Sequence, residues 1–334
     1  MSHHPISRRG LLSIVASLGI VAIARRAGAE VAATVGPRSR VARVSTDERG
    51  VTLMLELEHA PFPAPGAPYH DASVLVFVPR HHRPAPGGVN FVVHFHGHNS
   101  SVERATTAHE LREQLFDSKQ NAILVVPELA VMAPDSACGK LETPGAFSRL
   151  LDDVSNTLET KEARAALGMS APARGSRAGR VCVSAHSGGY HAAACAIRGG
   201  ATSVHEVYLF DALYAESDVF RDWVVAERGK PMAERHKLVS FFTAGTTESN
   251  TRRLFSELEQ AGVHVASEEV EGSLSRAALV RAEAVSIRTQ LGHGAVTSEL
   301  NSLRDCLYAS ALRRRLRTSW FDAMEGARPL EQRR

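Results

Sequence analysis

Short apolar runs recur along the chain from residue 51 onward. They are VTLMLEL (51–57), SVLVFVP (73–79), FVVHFH (91–96), AILVVP (122–127), RVCVSA (180–185), EVYLFD (206–211), KLVSFFT (237–243) and VHVASEEV (263–270). The first two follow one another across a loop rich in Pro and Gly. From the third onward, stretches of helical pattern intervene, among them ERATTAHELREQLFDSK, GAFSRLLDDVSNTLETKEARAALG and NTRRLFSELEQAG. Continuous apolar runs suit strands covered on both faces. Strands alternating with helices imply a parallel sheet with helices on both sides. The expected fold class is therefore α/β, with about eight mostly parallel strands and an antiparallel pair opening the sheet. Only about 25 residues separate the strands at 206–211 and 237–243. That is too little chain for a large lid, so little or no lid is expected.

The N-terminus follows a different pattern. Arg8 and Arg9 precede a modestly apolar run from Leu11 to Ala24, and Ala27-Gly28-Ala29 supplies the small residues of a cleavage site. A charged start, an apolar middle and an A-x-A end describe a signal peptide. The paired arginines make it resemble a twin-arginine signal. A run of 14 residues is short of the roughly 20 that span a bilayer, so no stable membrane span is expected after cleavage. The expected organisation is a signal peptide over 1–29, a flexible polar lead-in over 30–49 and one domain over 50–334. Export would place the domain in the periplasm or outside the cell.

Composition adds little to this. Apolar residues make up 44% of the 334 and charged residues 22%, as in ordinary globular domains. The net charge of +3 is carried by the leader. Without Arg8, Arg9, Arg25 and Arg26, 35 basic residues face 36 acidic ones. Nothing there calls for nucleic acid or an anionic membrane. The four cysteines, Cys138, Cys182, Cys195 and Cys306, have no C-x-x-C spacing, so a zinc ribbon is not expected, and no pairing can be assigned. The basic tail from Ala311 reads as a solvated last helix.

The stretch RVCVSAHSGGYHAAACA (180–196) carries the candidate chemistry. It reads as a buried strand, a turn at His186–Gly189, and a helix. Ser187 has Ala185 two places before it and Gly189 two places after. A serine on a sharp strand-to-helix turn projects its hydroxyl from the carboxyl edge of the sheet. Small residues at those two positions avoid clashes with the neighbouring strand and helix. The free N–H groups of the following helix point at the reacting centre.

With this turn after the fifth strand, and with the loop HFHGHNS, the chain resembles the α/β-hydrolase superfamily over nearly its whole length after the leader. The resemblance implies a Ser–acid–His order along the chain. It implies His293, in SIRTQLGHGAVTSEL after the last strand, as the base for Ser187. For the acid two positions compete. Asp211 ends the strand EVYLFD, where function collects; Glu248 follows the next strand, the more usual place in the superfamily. Asp211 is preferred, with Glu248 kept as the alternative. Oxyanion donors are expected from the N–H of Gly188 and from the loop of His96, Gly97 and His98. His186, beside the serine, is grouped with the substrate-binding residues.

A rival reading has His94, His96 and His98, spaced by two, holding a metal on one strand face. Gly97 speaks against it, because the strand has ended by then. Phe220 and Trp223 are candidate pocket-lining residues, or core. His70, His81 and His82 read as surface. The function expected from these residues is serine hydrolysis of an ester, with an amide second, in a small or polymeric substrate. No cofactor or metal is implied. The alternatives are an exported non-catalytic binding protein of the same fold, or a metal-dependent hydrolase built on the histidine run.

Overall fold

A computed structural model describes residues 39–328 and 330. The expected signal peptide lies outside the described residues. Ten strands form one sheet: β1 (Arg40–Thr46), β2 (Gly50–Glu56), β3 (Ser73–Pro79), β4 (Val89–Phe95), β5 (Ala122–Pro127), β6 (Ala178–His186), β7 (Val204–Phe210), β8 (Lys237–Phe242), β9 (Val265–Glu268) and β10 (Ala284–Arg288). Their order across the sheet is β1-β2-β3-β5-β4-β6-β7-β8-β10-β9. The β1/β2, β2/β3 and β3/β5 pairs are antiparallel, and the remaining six are parallel.

Two of these strands correct the expected count of eight. β1 forms inside what reads as a flexible lead-in. Only its Val41 is buried, so it has no apolar periodicity to betray it. It is held as an edge strand by its ladder to β2 and by the Arg40–Glu56 ion pair at 2.7 Å. β10 is five residues long and inserts between β8 and β9.

Alternation along each strand feeds two cores, one on each face. Leu53, Val93, Val183 and Leu209 point to one core, while Met54, Val92, Cys182 and Tyr208 point to the other. The second core is covered by α1 (Val102–Ala108) and α2 (Leu111–Ser118). The first is covered by α3 (Ala146–Leu158), α4 (Lys161–Leu167), α5 (Tyr190–Arg198), α6 (Ser217–Ala226) and α7 (Thr246–Gln260). Returning to the second face are α8 (Arg276–Arg281) and α9 (Ser302–Tyr308). Two helical stretches that read as continuous are each broken once. Glu110 turns left-handed between α1 and α2, and Thr160 caps α4 by accepting from the Ala163 N–H. None of the helices among the described residues is long and apolar enough to cross a membrane.

The tail after α9 is not a solvated helix. Leu312 and Trp320 are buried in the second core. Arg328 is 2% exposed and pairs with Glu268 at 2.6 Å and with Asp305 at 3.6 Å. A buried guanidinium requires such partners, and they lie on β9 and α9, beyond the reach of local sequence. Phe220 and Trp223 are core, with Trp223 stacked on His236 at 4.2 Å between ring centroids. His82 is also buried, its Nδ1–H donating to the Ser170 carbonyl at 2.8 Å, which corrects its reading as surface.

Candidate active site

Register places the chemistry in one row. In the parallel ladders Phe95 pairs with Ala185, and His186 pairs with Phe210. Two residues past Phe95 comes Gly97. Ser187 and Asp211 each lie one residue past their strand. All three therefore leave the carboxyl edge of the sheet at one level, the edge where parallel α/β sheets bind ligands. The backbone is strained there. Ser187 has φ +53°, Asp211 +46°, and Asn99 in the loop after β4 +51°. Left-handed values cost a non-glycine residue of order 1 kcal/mol or more and persist only where surroundings impose them.

The small residues around Ser187 have specific neighbours. A Cβ on Gly97 would sit 2.6 Å from the Ser187 Cβ, and one on Gly189 would sit 2.4 Å from the Phe95 carbonyl oxygen. A Cβ on Gly188 would overlap the His98 ring at 2.2 Å. Ala185 is fully buried. The turn and the loop after β4 thus press together to the exclusion of any larger side chain. Ser187 is half-buried, and its hydroxyl makes no hydrogen bond among the described residues.

His293 lies in a short helical turn, His293–Ala295, five residues past β10. Its Nδ1–H donates to Asp211 Oδ2 at 2.6 Å, which leaves the Nε2 lone pair outward. Thr243 adds an N–H to Asp211 Oδ1 at 3.0 Å and a hydroxyl to Oδ2 at 2.8 Å, and the Thr247 hydroxyl donates to Oδ1. Burial pushes the Asp211 carboxyl up, but the hydrogen bonds from His293, Thr247 and Thr243 outweigh it and hold it down at about 2. Asp211 is an ionised acceptor over the whole neutral range. Glu248 is elsewhere, on α7, bonded to Arg252 at 3.0 Å. Of the two candidate acids, the structure brings Asp211 to His293 and leaves Glu248 half-buried on α7 with Arg252.

His186 joins the serine turn to the histidine loop. Its Nε2–H donates to the His293 carbonyl at 2.9 Å, and the two rings stand 4.7 Å apart. Behind it His109 lies at 4.5 Å and His94 a further 5.6 Å on, so four imidazoles run from the core to the site. Burial lowers His186 to about 4 and His109 to about 3. Both are neutral at physiological pH. A neutral His186 suits a ring whose task is to donate one hydrogen bond without adding charge beside His293.

The loop after β4 is shaped from below. His96 is buried, with Nδ1–H donating to the Gly97 carbonyl at 2.9 Å and Nε2 at 2.8 Å from Glu128 Oε1. Glu128 Oε2 in turn accepts from the Val102 N–H at 2.9 Å, the first residue of α1. The Asn99 N–H is taken by the Ala133 carbonyl at 2.9 Å. Among the described residues the His98 N–H has no such acceptor, and Gly188 lies in the first turn of its helix, where N–H groups have no intrahelical partner. His98 itself is exposed, its ring lying over Gly188 with Nε2 at 2.8 Å from Ser136 Oγ. Glu128 and His109 carried no signal in the sequence. One ends an apolar strand and the other closes a helix, and their partners are distant.

The histidine run does not converge. His94 turns inward to Ser184 Oγ at 2.9 Å, His96 to Glu128, and His98 out to Ser136. β4 ends at Phe95, so strand alternation no longer holds His96 and His98 on the His94 face. The mouth is open: His293 is 43% exposed in its side chain. Tyr214, edge-on to it at 6.4 Å, lines a groove of about 520 Å³ together with Arg221 and Arg253.

Strand order, antiparallel opening strands and the strained serine turn after β6 together give the chain the α/β-hydrolase fold. β1 and β9 are the two edge strands of the sheet. No protein-family model and no curated protein matches the sequence. Solved structures that match include a mutant feruloyl esterase module from Clostridium thermocellum complexed with sinapinate. It is 11% identical, covers 80% of this chain and 93% of that one, and has a TM-score of 0.46. An S-formylglutathione hydrolase from Agrobacterium tumefaciens matches at 12% identity, over 80% and 96%, with TM-score 0.44. A thermostable carboxylesterase cloned from a metagenomic library matches at 14%, over 79% and 89%, with TM-score 0.44. Similarity at this level says nothing of activity, and the fold assignment stands on the strand order and the turn.

Proposed function

We propose that the protein is a serine hydrolase that cleaves an ester, with an amide as the second substrate class, through Ser187, His293 and Asp211. The observation that carries this reading is the 2.6 Å bond from His293 Nδ1 to a buried, fully hydrogen-bonded Asp211, on the same sheet edge as the strained Ser187. Such a bond selects the tautomer a general base needs and stabilises the imidazolium that forms. Ser187 Oγ attacks the carbonyl carbon while its proton passes to His293 Nε2. The oxyanion is held by the N–H groups of Gly188 and His98. His293 then protonates the leaving alcohol as the ester C–O bond breaks. Water, deprotonated by His293, attacks the acyl-enzyme and releases the acid and the serine. In resting enzymes the serine–histidine contact is often long and tightens only with substrate, which accommodates the unbonded hydroxyl.

The exposed His293 and the single short helix α6 between β7 and β8 favour exogenous or polymeric esters over a substrate that must be enclosed. Esters are preferred over amides because they are the easier acyl donors. We further propose export through the twin-arginine route with cleavage after Ala29. Intact mass of the protein recovered from the cell envelope tests this directly. Catalysis is tested with a panel of activated esters and an acid quench. The expected result is turnover together with an acyl adduct on the peptide that holds Ser187. Turnover that persists in Ser187→Ala would overturn the assignment.

A further inference from the structure

Beside α5, the helix that follows the Ser187 turn, two sulfur atoms and an imidazole nitrogen meet. His191 and Cys195 are four residues apart and share one face of the helix. Cys138 arrives from the loop just before a short helical turn, Gly139–Glu142. Sγ of Cys138, Sγ of Cys195 and a ring nitrogen of His191 all lie within 4.8 Å of one another. His191 Nε2 is 3.7 Å from the Cys195 sulfur. Zinc–sulfur and zinc–nitrogen bonds of about 2.3 and 2.0 Å at a tetrahedral angle separate their ligand atoms by roughly 3.5 Å. The observed spacing is close to that.

Two independent features point to a ligand. The first is the carboxylate behind the imidazole. Glu216 Oε1 accepts from His191 Nδ1–H at 2.5 Å, and Glu216 is itself held by Arg198. That bond fixes the tautomer with the Nε2 lone pair aimed at the two sulfurs. It is the orienting contact that metal-binding histidines characteristically have. The second is access from solvent. Both cysteines are buried, Cys138 completely, but Glu142, Cys195 and Arg198 line a small cleft of about 90 Å³ open to solvent. A Glu142 carboxylate oxygen on that side is 3.8 Å from the same Nε2.

We propose that Cys138, His191 and Cys195 bind a zinc ion, with Glu142 or a water in the fourth position. Two thiolates and an imidazole suit zinc, whereas calcium and magnesium take oxygen ligands. Binding releases the two thiol protons, so the two thiolates neutralise the ion. The ion would clamp α5, the helix that begins at the Ser187 turn, to the 138–142 segment. The site does not depend on the hydrolase reading, since neither Ser187 nor His293 takes part in it.

The test uses the full chain, prepared under reducing conditions. Elemental analysis should find about one zinc per chain. Cobalt(II) added to the metal-free protein should give a thiolate-to-cobalt charge-transfer absorption and release about two protons per ion. Cys195→Ser should abolish both signals. Glu216→Gln keeps all three ligands and should weaken cobalt binding about 10- to 100-fold; this variant guards against simple misfolding of the cysteine mutant. Ser187→Ala should bind metal as the wild type does. The proposal is overturned by a reduced wild type that takes up neither zinc nor cobalt. An unchanged cobalt affinity in Glu216→Gln overturns it too. So does a native protein in which Cys138 and Cys195 are joined as a disulfide.

Discussion

Replacing Gly97 by alanine places a methyl carbon 2.6 Å from the Cβ of Ser187 and 3.0 Å from the carbonyl oxygen of His186. Carbon atoms in contact settle at about 3.5–4.0 Å, so the loop and the serine turn must part by roughly 1 Å. Neither neighbour is the far end of a flexible side chain, and neither can rotate away. Overpacking of this kind costs about 1–3 kcal/mol of stability. Its larger effect should fall on catalysis, because a displacement of about 1 Å between nucleophile and oxyanion donors costs on the order of 10²-fold. The assay is kcat/KM on an activated ester, with thermal unfolding followed in parallel. The control is Gly294→Ala beside His293, where an added Cβ meets nothing within 4 Å; it should lose less than about twofold. If Gly97→Ala keeps more than about half the wild-type kcat/KM, the loop after β4 does not abut the reacting centre as described, and the oxyanion assignment to it fails.

Other outcomes follow from the same geometry. Asp211→Asn should lower kcat by about 10²–10⁴, since it removes the acceptor that sets the His293 tautomer. Glu248→Gln, paired with Arg252 away from His293, should change it less than about twofold; the reverse ranking would exchange their roles. Burial holds His186 at about 4 and His109 at about 3, below the ordinary 6.5, and lowers His94 well below it. The unfolded chain therefore takes up protons first, and the stability these rings leave intact above 6.5 is lost as pH falls from there toward 4. His186 and His109 should each cost roughly 2 kcal/mol by about pH 5, read as a steep fall in the urea midpoint from about pH 7.5. A flat profile would contradict their burial as neutral rings. Arg328→Leu should destabilise by about 3–5 kcal/mol in chemical denaturation, because it strands the buried Glu268 without its cation, while Asp305 keeps Arg304. A loss below about 1 kcal/mol would mean the tail is not docked.

The features legible in the sequence are those whose cause is local. Runs of six to eight residues marked the eight strands from β2 to β9, and the Ala185–Ser187–Gly189 spacing marked the turn. His293 was legible by position, as the histidine after the last strand. The sequence favours Asp211 over Glu248 only by its place at a strand end, because the bond that decides between them joins residues 82 apart. β1 was missed because it buries one side chain, and β10 because five residues between a helix and a loop carry too short a pattern. The tail was misread because its arginines look solvated until Glu268 and Asp305 are placed beside Arg328. His186 was legible as a neighbour of the serine. Its hydrogen bond to the His293 backbone belongs to tertiary structure alone, as do the contacts of Glu128 beneath the loop after β4.

The account turns on whether Ser187 is an activated nucleophile. The most direct measurement is labelling of the purified protein with a fluorophosphonate probe, beside Ser187→Ala and Asp211→Asn, each checked for native folding by circular dichroism. The account predicts stoichiometric labelling of the wild type at Ser187. It also predicts none in Ser187→Ala and labelling slowed by orders of magnitude in Asp211→Asn. A folded wild type that resists the probe, or a Ser187→Ala protein that still takes it up, would contradict the account.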